Sequence, residues 1–162
     1  MGDSLIELSK KNPNKQIVGI EPFLNGVASV VYGCVKSNIN NILLYSHPAQ
    51  EFLENYKKIF FEEIFILFPD PWPKKKHVKR RLMQIPFIKI LLERMEKNGK
   101  LYFATDNQNY FNEVQERLNS DEIRKIPISI KKLDPNKLIL TKYFLRAKRL
   151  ENKVSFLVIV KY

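Results

Sequence analysis

Three apolar runs rich in β-branched and aromatic residues end at or just before an acid, far apart along the chain. "KQIVGIE" closes on Glu21, "EIFILF" leads through a proline to Asp70, and "KLYFATD" closes on Asp106. The second run is apolar without alternation, the mark of a strand covered on both faces. Helical spacing fills the intervals. Leu24, Val27, Ala28, Val31, Cys34 and Val35 form one stripe, and Ile85, Ile88, Leu91, Leu92 and Met95 another. Strands alternating with helices predict an α/β domain around a parallel sheet, whose ligands bind beyond the carboxyl ends of the strands. Glu21, Asp70 and Asp106 are therefore expected on one rim.

The remaining pattern fits the same frame. A short helix over 4–13 stops at Pro13, a strand over 41–46 follows, and a short helix covers 49–56. An amphipathic helix is expected over 109–119, an edge strand carrying Pro127 over 125–132, and a last strand over 153–162. Gly99 suits the left-handed position past a helix end. Gly26 and Gly33, one heptad apart, suit close packing of their helix on the sheet. With no internal repeat or linker, residues 1–162 read as one domain.

Net charge narrows the partners. The chain carries 28 Lys and Arg against 17 Asp and Glu, a formal +11. Such an excess points to a polyanion, nucleic acid or an anionic membrane surface. No apolar run approaches the roughly 18–20 residues of a membrane span, and the start "MGDSLIELSKK" lacks the pattern of a signal peptide. The single cysteine, Cys34, excludes an internal disulfide and any multi-cysteine metal site, which fits a reducing cytoplasm. The only histidines, His47 and His77, are far apart in sequence and make no metal site. Nucleic acid is the expected partner, with no membrane and no metal; monomer and homodimer both stay open.

"FPDPWPKKKHVKRRL" (68–82) concentrates that charge. Six of the eight positions from Lys74 are Lys or Arg. A solvated helix would interleave acids, and those eight positions have none. Prolines on both sides hold the backbone of Asp70, and Trp72 can pack on a ring or on the loop's own prolines.

This stretch, followed by "ATD", resembles the bacterial tRNA (guanine-N7-)-methyltransferase family, whose hallmark is Phe-Pro-Asp-Pro-Trp running into Lys, His and Arg. "GIEPFLNGVA", "NGKLYFATD" and "TKYFLRAKRL" fall in the family's order, so the likeness covers most of the chain. The resemblance implies a Rossmann-like class I S-adenosylmethionine-dependent fold and methylation of the variable-loop guanine of tRNA. It implies Asp70 as the central catalytic residue, also bordering the cofactor. Glu21 would bind the cofactor ribose, and Gly2 would be the end of a glycine-rich turn. Lys74, Asp106, Thr141, Lys142 and Tyr143 match substrate-binding positions. Lys75, Lys76, Lys79, Arg80 and Arg81 match the RNA-contacting stretch, whose task is phosphate neutralisation.

Departures from the family pattern set further expectations. The Gly-x-Gly-x-Gly turn is absent and "MGDSLIEL" looks like its end, as though a central strand before Met1 were missing. His47-Pro48 stands where the family has an Asp, and Phe144 replaces the Glu of Thr-x-x-Glu. Poor cofactor binding by this chain is expected on that ground. Plainer roles also exist. Asp70 could be a turn residue, Glu21 could cap the next helix, Asp106 could cap the helix near Asn107, and Tyr143 and Phe144 could be core. Two alternatives to catalysis follow: a basic tRNA-binding remnant or subunit, or a nonfunctional fragment.

Overall fold

Ile17–Ile20 forms β1 and Ile42–Tyr45 forms β2, paired in parallel from Ile17 opposite Ile42 to Ile20 opposite Tyr45. Around them lie α1 (Asp3–Lys11), α2 (Leu24–Ser37) and α3 (Ala49–Asn55). Asp3 opens α1 and Lys10 and Lys11 close it, the order that complements the helix dipole. Asn41 staples the α1–β1 turn: its Nδ2 donates to the carbonyls of Asn12 (3.0 Å) and Lys15 (2.8 Å), and its oxygen accepts from Ser9. Asn38, with φ 51°, closes α2 in the left-handed region. A Cβ on Gly33 would meet the Ile6 side chain at 3.1 Å, so this glycine admits α1 against α2 rather than seating α2 on the sheet.

This is one of two compact units in a computed structural model that describes residues 2–134 and 141–162. The first unit comprises Met1–Lys57 with Ile139–Lys142; the second comprises Lys58–Leu138 with Tyr143–Tyr162. Among the described strands, β1 pairs with β2 alone.

The second unit holds β3 (Phe61–Leu67), a 3-10 helix (Lys75–Arg80), α4 (Ile85–Glu93), β4 (Met95–Thr105), α5 (Gln108–Leu118), α6 (Asp121–Arg124), β5 (Ile128–Lys132), α7 (Lys142–Arg149, its first residue in the other unit) and β6 (Ser155–Lys161). Its sheet runs β3-β4-β6-β5. β3 and β4 are parallel, while β6 lies antiparallel to both β4 and β5, so the sheet has a parallel part and is mixed as a whole. An apolar run reports burial on both faces, and a central strand is so buried whichever way it points.

Alternation on β4 and β6 sends side chains to two layers. Leu101, Phe103, Leu157 and Ile159 are fully buried, as are Ile88 and Leu92 of α4 and Tyr110 and Val114 of α5. Ala104, Phe156 and Val158 face the other way and cluster with Phe144 of α7, against which Leu67, Phe68 and Tyr102 pack. Met95 belongs to β4 rather than to the preceding helix, which ends at Glu93. Asn98 takes the left-handed position (φ 63°) expected of Gly99. Gly99 answers a different need, because a Cβ there would stand 2.8 Å from the Glu96 carbonyl oxygen and 3.1 Å from that of Phe61. The register slips at this point, from Phe61 opposite Met95 to Glu63 opposite Lys100. No helix among the described residues is long and apolar enough to cross a membrane.

Candidate active site

Strand β3 ends at Leu67, paired with Ala104 of the parallel β4, and the Phe68 N–H reaches the Ala104 carbonyl at 2.8 Å. Asp70 lies three residues past Leu67 and Asp106 two residues past Ala104. The carboxyl ends of neighbouring parallel strands thus bring these acids to one edge, as the sequence suggested. Both side chains are exposed. Glu21 stands at the same end of β1, in the other unit.

The loop carrying Asp70 is strained at both flanks. Phe68 and Trp72 have φ of 54° and 40°, values that cost a bulky residue roughly 1–3 kcal/mol each. Pro69 and Pro71 fix their own φ angles, and Pro71 disfavours the helical region for Asp70 before it. Packing supports the strain. The Phe68 ring stacks on Tyr143 at 6.3 Å and leans on the Phe144 cluster. Trp72 lies edge-on to His77 at 5.7 Å with the Arg80 guanidinium 5.0 Å over its ring. Trp72 thus packs against the basic segment.

That segment is a 3-10 helix opening at Lys74, whose carbonyl accepts from the His77 N–H at 2.8 Å. Lys74, Lys75, Lys76, Lys79 and Arg80 are exposed. Arg81 is not: at 2% exposure it turns inward. Its Nε donates to the Pro71 carbonyl at 2.7 Å, its Nη1 lies 2.7 Å from Glu113, and its guanidinium covers the Tyr110 ring at 5.0 Å. Sequence reasoning missed Glu113 and Tyr110. The available signal was the i, i+4 pair Glu113–Arg117 on α5, two charges facing the apolar side of a helix.

Asn107 caps α5, its side chain accepting from the Tyr110 N–H at 2.8 Å. The capping role considered for Asp106 therefore belongs to its neighbour. Asp106 Oδ2 instead accepts from Asn152 Nδ2 at 3.2 Å. Thr141 is buried, Lys142 and Tyr143 are exposed, and Phe144, 2% exposed, is core. In the first unit, Glu21 Oε1 accepts from the Phe23 N–H, at the N-cap of α2, at 3.0 Å. A Cβ on Gly26 would stand 2.4 Å from the Glu21 carboxyl carbon, so that glycine makes room for the carboxylate. Gly2, with φ 87°, precedes α1, and its carbonyl accepts from the Leu5 and Ile6 N–H groups. His47 lies on the surface, 3.9 Å from Glu51.

Comparison with solved structures defines the class. An rRNA methylase from Streptococcus thermophilus superposes with a TM-score of 0.62 at 15% identity, over 99% of this chain and 80% of that one. A Streptococcus mutans protein solved in complex with SAH gives 0.62 at 13% identity, over 99% and 83%. The fold is therefore that of class I S-adenosylmethionine-dependent methyltransferases.

Sequence comparison is narrower. A family model described as "Putative methyltransferase" matches residues 1–157. A tRNA (guanine-N(7)-)-methyltransferase of Wolbachia pipientis is 32% identical over 155 residues, 96% of this chain and 68% of that protein. Its counterpart in Francisella tularensis subsp. novicida is 36% identical over 156 residues, with the same coverage. The chain belongs to the tRNA (guanine-N7-)-methyltransferase family. It also matches a bifunctional methyltransferase of Rickettsia felis at 34% identity over 160 residues, 98% of this chain but only 30% of that protein's length.

Proposed function

We propose that this chain transfers a methyl group from S-adenosylmethionine to N7 of a tRNA guanine, with Asp70 as the central catalytic residue. The observation that carries the reading is the strained, braced loop that presents an exposed carboxylate at the end of β3, continuous with a cationic turn.

The chemistry asks little of a base. Guanine N7 has an exposed lone pair at neutral pH, so the protein's work is alignment and exclusion of water. The methylated purine is cationic, and a fixed carboxylate stabilises that charge as it develops. Asp70 supplies it, and a loop set by two prolines loses little order in doing so. Asp106, Lys74 and Tyr143 form the substrate side in this reading, with Thr141 and Lys142 before them. Lys75, Lys76, Lys79 and Arg80 neutralise tRNA phosphates. Arg81 is left out of that group because its guanidinium is buried.

Glu21 fits the cofactor ribose. It is an acceptor-only group at a parallel strand end, with Oε1 on a backbone N–H and a glycine beside it. Gly2 would join Glu21 in holding the cofactor in this reading. Bound S-adenosylmethionine supplies a methyl carried on sulfonium. The test is mass spectrometry of tRNA incubated with chain and cofactor. Expected is 7-methylguanine, falling at least about a hundredfold with Asp70→Asn while the melting temperature holds. Salt-sensitive tRNA retention without the modified base would support binding alone and end the catalytic reading.

A further inference from the structure

We propose that Arg81 is a positioning residue that ties the Pro71 carbonyl, and with it Asp70, to helix α5. The inference rests on the functional reading above and separates Arg81 from the cations that precede it. Five of the six Lys and Arg residues from Lys74 to Arg81 are exposed; Arg81 alone turns in. It bonds to one element through a hydrogen bond and to another through an ion pair. Nε donates to the Pro71 carbonyl at 2.7 Å, one residue past Asp70, while Nη1 sits 2.7 Å from Glu113 Oε1 on α5.

The anchor is itself anchored. Glu113 Oε2 lies 3.0 Å from Arg117 Nη2, and Arg117 Nη1 donates to the Met83 carbonyl at 3.0 Å. The Met83 N–H donates to Tyr110 Oη at 3.0 Å, and the Tyr110 ring lies beneath Arg81. Arg81 and Met83, directly after the basic turn, are thus clamped onto α5. A guanidinium suits this task because its donors diverge in a rigid plane, and a single ammonium cannot reproduce that fork. A phosphate ligand, by contrast, would have to be reachable by RNA. The consequence is a division of labour inside one cationic run: the first members face outward, and the last fixes the loop that holds the reacting carboxylate.

Trp72, the only tryptophan of the chain, adjoins Pro71 and reports on this loop directly. Acrylamide quenching of Trp72 is compared in wild type, Arg81→Met and Glu113→Gln, with far-UV circular dichroism as the folding control. The tether predicts that Arg81→Met raises the quenching constant about twofold or more, and Glu113→Gln raises it less, because local order is lost without global unfolding. It predicts a turnover number about ten- to a hundredfold lower with the KM for tRNA unchanged, and a salt dependence of tRNA binding equal to wild type. Unchanged quenching in both variants overturns the proposal. So does a fall of about 0.9 in the salt slope on Arg81→Met, the mark of a lost phosphate contact. Should Arg81→Met fail to fold, Glu113→Gln decides by quenching alone. A wild type that makes no 7-methylguanine sinks the functional reading instead, while the quenching comparison still rules on the tether.

Discussion

β4 and β6 are the most buried strands of the second unit, whereas β1 and β2 of the first are mostly half-buried, with Leu43 well exposed. Of the buried apolar residues described, only Val30, Phe52 and Leu53 lie in the first unit. Its helix α2 leaves Leu24 and Val35 at 80% and 78% exposure, on a face shared with Ala28 and Val31. The two acids proposed for the site, Asp70 and Glu21, divide along this line. Asp70 stands on the densely packed sheet and can be held under strain. Glu21 stands on the thin pair and is positioned by one backbone N–H and the space at Gly26. The difference teaches that substitutions in the second unit should cost more stability than comparable ones in the first.

The largest expected effect is a direct test of that contrast. Phe103→Ala empties a fully buried site between β4 and α5 and should cost about 3–5 kcal/mol, read by urea unfolding. Leu24→Ala in α2 should stay within about 0.5 kcal/mol, since little burial is lost. Equal costs would break the contrast.

A glycine pair sharpens it. Gly99→Ala sets a methyl against two backbone carbonyl oxygens, which cannot swing away, and should cost about 1–3 kcal/mol. Gly26→Ala meets the end of a flexible side chain, so the Glu21 carboxylate yields and stability changes by less than about 1 kcal/mol. Moving that carboxylate should instead weaken S-adenosylmethionine binding about tenfold, measured by calorimetry. Intact affinity in Gly26→Ala would remove Glu21 from the cofactor site.

These contrasts were only partly legible in the sequence. The apolar runs located the strands because burial on both faces demands unbroken hydrophobes, and the acids after β3 and β4 followed from strand ends. Strand direction was not legible, since Ser155–Lys161 reads the same run either way. The helix over "KYFLRAKR" escaped because four of its eight residues are cations, although Phe144 and Ala147 are spaced to share the core. Arg81 was invisible among identical charges. What distinguishes it is a carboxylate more than thirty positions later in sequence, a tertiary fact. Phe144, where the resemblance implies a Glu, was legible as a departure, and it is a buried ring in the α7 cluster.

The smallest effect concerns pH and lies on the dense sheet. The Tyr102 hydroxyl, pushed up to about 12 by burial first and by its 2.9 Å hydrogen bond to Glu63 second, resists ionisation in the fold. In the unfolded chain the same group titrates near 10. Between those values the folded state binds more protons, so stability present below pH 10 declines as pH rises toward 12. Tyr102 is also stacked on Phe65 at 4.6 Å, and Tyr102→Phe keeps that ring contact while removing the proton. The variant should therefore show a shallower loss of stability between pH 10 and 12 than wild type, followed by urea midpoints at each pH. Parallel curves would mean that the hydroxyl is solvated, and that the packing contrast between the two units does not reach this edge of the sheet.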